Sequence, residues 1–224
     1  AFNVTVNAVN NPPTIDEVAD LGLLEDATPQ VIILTGITAG ASESQPLAVS
    51  VTSNNHALIP TPNATYTSAN DTGSLSITPL MDQFGTATIT VTVTDGGFDG
   101  NLATPSDNGT FATDFDVIVS PVNDNPTINS LANLELDENA PLQLVQLAGI
   151  SAGGGESQEL LITATSSNSA LMANPVVNYT SGNVAGTISF SPIAAQSGNT
   201  TITVTVTDAG LDGNIATGDD NATT

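Results

Sequence analysis

Phe2-Asn3-Val4-Thr5-Val6, leading into Asn11-Pro12-Pro13-Thr14-Ile15, returns as Phe115-Asp116-Val117-Ile118-Val119, leading into Asp124-Asn125-Pro126-Thr127-Ile128, a shift of 113 residues. The same shift, without a gap, carries Gly36-Ile37 onto Gly149-Ile150, Glu43-Ser44-Gln45 onto Glu156-Ser157-Gln158 and Tyr66 onto Tyr179. It also carries Ile89-Thr90-Val91-Thr92-Val93-Thr94-Asp95 onto an identical run from Ile202 to Asp208. A gapless internal period of this kind marks a tandem array of domains, and 224 residues hold two of ordinary size. The phase of the repeat assigns residues 1–12 to the final strand of a preceding repeat, or to a donated strand, plus a linker. Residues 13–125 then form a first repeat, and 126–224 a second repeat without its last strand. Two arrangements satisfy that phase: a window of a longer array, or a subunit whose Phe2 to Val6 strand completes the second domain of a neighbour. In either case copies or adjacent repeats follow one another head to tail, and in the second case the contact is heterologous and propagates as an open filament.

Each period reads as β structure. Ser74-Leu75-Ser76-Ile77-Thr78 and the run from Thr88 to Thr94 alternate polar and apolar with period two, which puts Leu75, Ile77, Ile89, Val91 and Val93 on one buried face. Strands are expected at Leu21 to Leu24, Val31 to Leu34, Leu47 to Thr52, Asn63 to Thr67, Gly73 to Thr78, Ala87 to Thr94 and Phe115 to Val119. About seven strands per repeat, with turn-forming residues between them and no amphipathic helix, predict an all-β fold of tandem Greek-key sandwiches of immunoglobulin or cadherin type.

Charge narrows the partners. The chain has no Lys or Arg against 23 Asp plus Glu, a formal net charge of −23. Without cations it cannot neutralise phosphates, which argues against nucleic acid, and it carries no basic patch for an anionic membrane surface. No apolar run is long enough for membrane insertion. Cysteine is absent, so disulfides and thiolate metal sites drop out. No enzyme is expected either: Cys and Lys nucleophiles are missing, and the single histidine, His56, aligns with Ser169 of the other copy. Nor does a carboxylate pair or an aromatic platform mark a sugar-processing cleft.

Val122-Asn123-Asp124-Asn125-Pro126-Thr127, Glu25-Asp26-Ala27-Thr28-Pro29, Asp137-Glu138-Asn139-Ala140-Pro141 and Val93-Thr94-Asp95-Gly96-Gly97 together resemble the cadherin-like and bacterial Ig-like tandem repeats of giant surface proteins. Thr35-Gly36-Ile37-Thr38-Ala39-Gly40 and Glu43-Ser44-Gln45 are similar to the bacterial long-array subgroup in particular. The resemblance covers essentially the whole chain. It implies an extracellular or cell-surface location and a part in adhesion or surface architecture. It also implies calcium at domain junctions, carried here by the linker Asn123-Asp124-Asn125-Pro126 and by the early Glu25 and Glu138. The acidic motif that cadherins place between the fifth and sixth strands is reduced to Asp82 in the first copy and to Ala195 in the second.

In a sandwich of that type strands run alternately up and down. Glu25, Asp26 and Asp82 are therefore expected near Asn123 and Asp124, with Glu156, Asp208 and Asp212 approaching the same linker from their own loops. Carboxylates supplemented by amide and backbone oxygens suit a hard cation with six to eight ligands, Ca2+ before Mg2+ or a transition metal. Asp95-Gly96-Gly97-Phe98-Asp99-Gly100-Asn101 and its copy from Asp208 to Asn214 place Asp at i and i+4 followed by Gly. Asp95, Asp99, Asp208 and Asp212 are thus candidate ligands, the alternative being that these residues only shape turns. Strand flanks exclude an EF-hand. The functional expectation is a calcium-rigidified stalk, fibre or filament, with an adhesin that binds a protein or glycan through its loops as the rival. An adhesive tip predicts one copy with a divergent loop, whereas the two copies align without a gap.

Overall fold

The computed structural model describes residues 1–218 and 220–224, and it is all-β, with no helix among the described residues. The chain divides into two compact units, Ala1–Pro121 and Val122–Thr224.

The first unit holds β1 (Leu21–Leu24), β2 (Gln30–Leu34), β3 (Leu47–Ser53), β4 (Asn63–Thr65), β5 (Gly73–Ile77), β6 (Gly85–Asp95) and β7 (Thr110–Ser120). They form one sheet in the order β1-β7-β6-β3 and another in the order β2-β5-β4. The sheets share one core, which Leu34, Leu75 and Ile77 fill from the smaller sheet and Leu47, Val91 and Val117 from the larger. Along β6, Ala87, Ile89, Val91 and Val93 are fully buried, and the threonines between them face outward, as a period of two requires. Burying a Val or Ile in this way contributes about 1.5–3 kcal/mol each. The β6–β7 hairpin extends beyond the strands expected from sequence. Pairing continues through Val93–Phe111 and Thr94–Thr110, where Val93 is still fully buried and Phe111, 46 % exposed, and the threonines keep the ladder going. β1 lies parallel to β7, with Leu21 opposite Val117 and Leu23 opposite Val119.

The second unit holds β8 (Gln143–Ala148), β9 (Leu160–Ser166), β10 (Val176–Asn178), β11 (Ala185–Phe190) and β12 (Ile202–Asp208), ordered β10-β11-β8 and β12-β9. By the repeat shift these are the counterparts of β2 to β6. Leu134, the counterpart of Leu21, lies outside any strand and is 53 % exposed. In the first unit β1 pairs with β7, whereas along the outer edge of β12 the described residues supply a single bridge, Thr207 to Thr223. Phe2 to Val6, expected as a strand, forms none in this chain, and Phe2, Val4 and Val6 are 88 %, 73 % and 89 % exposed.

Candidate metal centre

In each unit the sixth-strand position ends in an aspartate that closes a polar cluster. Asp95 finishes β6 and is fully buried. Its Oδ1 accepts from the backbone N–H of Gly97 (2.9 Å) and Gly109 (2.8 Å) and from Asn10 Nδ2 (3.1 Å), while Oδ2 is buried without a hydrogen-bond partner. Asn10 Nδ2 also donates to the Asp107 carbonyl (3.0 Å), and Asn10 Oδ1 accepts from Gln45 Nε2 (2.7 Å). Gln45 Nε2 reaches Glu43 Oε2 at 3.1 Å, leaving Gln45 Oε1 buried and without a partner. Glu43 in turn accepts from the backbone N–H and the side-chain amide of Asn11, both at 3.1 Å. Those amide donors, Gln45 foremost and then Asn11, hold the Glu43 carboxyl below the ordinary carboxylate range.

The second unit builds the same arrangement. Asn123 Nδ2 donates to Asp208 Oδ1 (3.1 Å) and to the Asp220 carbonyl (2.9 Å), and Gln158 Nε2 donates to Asn123 Oδ1 (2.6 Å). The backbone N–H of Asp124 donates to Glu156 Oε2 (3.1 Å), and those of Gly210 and Ala222 donate to Asp208 Oδ1, both at 2.9 Å. Asp208 is fully buried, and its Oδ2 is again without a hydrogen-bond partner, as are Gln158 Oε1 and Asp220 Oδ1. Among the side chains that take part, one position differs: Asp124 stands where the first unit has Asn11.

The loop after the aspartate is set by its own residues. Asp107 Oδ2 accepts from the N–H of Phe98 (2.7 Å) and Asp99 (3.3 Å), and Asp220 Oδ2 from Leu211 (2.9 Å) and Asp212 (3.3 Å). Gly97 and Gly210 must be glycine here. Both have positive φ, and a Cβ on Gly210 would lie 2.3 Å from Asp220 Oδ1. Asp99 and Asp212 are exposed and turned onto this loop, each accepting from the backbone N–H of Asn101 or Asn214 and from the hydroxyl of Thr104 or Thr217.

Of the sequence candidates, Asn123, Asp124, Glu156 and Asp208 are joined within the second unit, and Asp95 occupies the matching place in the first. Glu25 is buried in the turn after β1, its backbone N–H donating to the Ser120 carbonyl (2.9 Å), whereas its counterpart Glu138 is exposed. Asp82 receives its place from Asp26, whose Oδ1 accepts the Asp82 N–H at 3.0 Å. Asn139 and Ala195 make the same link at 3.0 Å, so this connection does not need the charge of either acid. Asn10, Gln45, Asp107, Gln158 and Asp220 were not among the candidates. The signal that finds them is the repeat itself, since the 113-residue shift superposes Asn10 on Asn123, Gln45 on Gln158 and Asp107 on Asp220.

Chemically, each cluster offers carboxylate, amide and carbonyl oxygens around a fully buried aspartate, in a chain with no Lys or Arg to pair with it. Such a donor set accepts hard cations and provides no nucleophile.

No protein-family model matches the chain, and no curated protein matches it. Among solved structures, the titin domains Z1Z2 in complex with telethonin are similar at 10 % identity over 97 % of this chain and 95 % of that one, with a TM-score of 0.36. The S-layer protein SbsC is similar at 16 % identity over 91 % of this chain and 23 % of its own, with a TM-score of 0.33. An endo-fucoidan hydrolase of glycoside hydrolase family 107 is similar at 17 % identity over 98 % of this chain and 28 % of its own, with a TM-score of 0.36. Likeness at this level transfers no property of those proteins to this chain.

Proposed function

We propose that the chain is a structural, extracellular repeat module of a stalk, fibre or filament, and that calcium bound at the acidic cluster of each unit stiffens it. The observation that carries this reading is the pair of fully buried aspartates, Asp95 and Asp208, each with one oxygen lacking a hydrogen-bond partner. A carboxylate buried without a counter-charge costs several kcal/mol, and this chain holds no Lys or Arg to supply one. A Ca2+ ion reached by Asp95 Oδ2, Gln45 Oε1 and Glu43 in the first unit offsets that cost. Asp208 Oδ2, Gln158 Oε1, Glu156 and Asp124 do the same in the second. Clamping three separated segments to one ion ties the residues around Asn10 and Asn123 to their own sandwiches, and Pro12, Pro13 and Pro126 limit bending just beyond them. The repetition of one hydrogen-bond set in both units supports a scaffold over a loop-borne adhesin, which needs one loop unlike the other.

Calorimetric titration of EDTA-stripped protein tests it. Binding in the 10⁻⁴–10⁻³ M range of extracellular calcium modules is expected, and at ten times Kd the melting temperature rises by about 5 °C. Asp208→Asn removes the second unit's share of the binding heat and leaves the first, and Asp95→Asn does the converse. Absent heat and an unchanged melting temperature in millimolar calcium overturn the reading.

A further inference from the structure

The two polar clusters share one plan and differ in how the glutamate is held. In the first unit both oxygens of Glu43 are taken. Oε1 accepts from the side-chain amide of Asn11, and Oε2 from the Asn11 backbone N–H and from Gln45 Nε2, each at 3.1 Å. In the second unit Glu156 Oε2 accepts the Asp124 N–H at 3.1 Å, while Gln158 Nε2 is directed to Asn123 Oδ1 at 2.6 Å. Asp124 thus puts a carboxylate, which cannot donate, where Asn11 offers an amide.

A second exchange goes with the first. Gly40, Ala41 and Ser42 have φ of 87°, 31° and 70°, and their counterparts Gly153, Gly154 and Gly155 have φ of 101°, 38° and 74°. The backbone is the same, so only the side chains differ. A Cβ on Gly154 would collide with Asp124 Oδ2, and the first unit carries the methyl of Ala41 at that position. A carboxylate placed like that of Asp124 therefore requires glycine at 154, and Ala41 excludes the same placement beside Glu43.

We propose that the units take up calcium in sequence, the cluster of Asp124, Glu156 and Asp208 before that of Glu43 and Asp95. This rests on the calcium reading above and assigns it an order. Both clusters contain a fully buried aspartate whose Oδ2 lacks a hydrogen-bond partner, so both invite an ion. Affinity in oxygen-ligand sites rises with the number of charged ligands, and the second cluster has one carboxylate more. In the first, N–H groups aimed at both oxygens of Glu43 occupy the directions from which a cation would approach, and an arriving ion has to displace them. Rising calcium therefore clamps the second unit at concentrations that leave the first unclamped.

Calorimetric titration of the EDTA-stripped chain with Ca2+ alone is expected to show two steps whose dissociation constants differ about tenfold or more. Asp208→Asn deletes the tighter step and Asp95→Asn the weaker, which assigns each step to its unit. Asn11→Ala should tighten the weaker step by freeing Glu43 Oε1, whereas an amide that merely held the loop together would loosen it when removed. Asn11→Asp/Ala41→Gly should bring the weaker step to within about threefold of the tighter, and Asp124→Asn should weaken the tighter step about tenfold. Both gains of affinity need a folded first unit, so misfolding cannot imitate them. Two equal steps, or a first unit that fills first, overturn the proposed order and leave the calcium reading standing. Absent binding heat in both units overturns the two together.

Discussion

Ile-Thr-Val-Thr-Val-Thr-Asp occurs twice in this chain and has two fates. In the first unit, as Ile89 to Asp95, it lies between β3 and β7, and Ile89 and Val91 are fully buried. In the second, as Ile202 to Asp208, it pairs with β9, and Ile202 and Val204 are half-buried. The seven residues, their alternation and their near-side partner strand are equivalent. What differs is the strand on the far side. Local sequence thus sets which side chains face inward, and the neighbouring strand decides whether facing inward amounts to burial.

The sharpest way to break that comparison is to truncate the same residue in both places. Ile89→Ala leaves a hole in a closed core and is expected to cost about 2–5 kcal/mol. Ile202→Ala, at a half-buried position, is expected to cost at most about 1 kcal/mol. Denaturant melts of the two variants measure both. Equal costs at the two sites mean that Ile202 is as closed off in solution as Ile89.

A smaller effect should appear in the order of opening. The segment around Leu131 and Leu134 is exposed, and the described residues of the second unit form no four-stranded sheet like that of the first. Thermolysin is expected to cut there before it cuts within β6 or β7, and amides of β12 to exchange about tenfold or more faster than those of β6. Cleavage of the first unit before the second reverses the expected ranking. Trypsin is unsuitable for this purpose, because the chain offers it no Lys or Arg.

These contrasts bear on how far the residues alone reach. Period-two alternation located β5 and β6 within a residue or two, because alternation is a property of consecutive residues. The parallel β1–β7 pair was not legible: Leu21 and Val117 are far apart in the chain, and neither neighbourhood names the other. The same limit applies to the polar cluster. Asp95 and Glu156 stand out as acids at a strand end or in a loop, but the amides that organise them, Asn10, Gln45, Asn123 and Gln158, carry no charge or motif that sets them apart in a chain rich in Asn. Asp99 and Asp212 have the spacing of cation ligands and also accept from Thr104 and Thr217 in their own loops, a role indistinguishable in sequence from ligation.

The smallest contrast concerns one amide. Asn11 donates its side-chain N–H to Glu43 in the first unit, while Asp124, at the same position of the second, has no such donor to offer Glu156. Gln45 contributes most to lowering the Glu43 carboxyl and Asn11 next, partly opposed by burial and by the negative charge of Asp95. A carboxyl whose value is lower folded than unfolded stabilises the fold above its unfolded value, roughly 4.3. That stabilisation is lost as the pH falls through the folded value. In calcium-free solution, carboxyl-detected NMR should therefore find the Glu43 midpoint below the ordinary range. Gln45→Ala should raise it most, and Asn11→Ala by less, since the Asn11 backbone N–H still donates. The acid limb of the first unit's stability curve should shift to higher pH in the same order, because the carboxylate that tied residue 11 to the Glu43 loop is then protonated sooner. A Glu43 midpoint at or above the ordinary value, unmoved by either substitution, would show that the amide contacts do not persist in solution, and with them would go the preorganised half of the first unit's cation cluster.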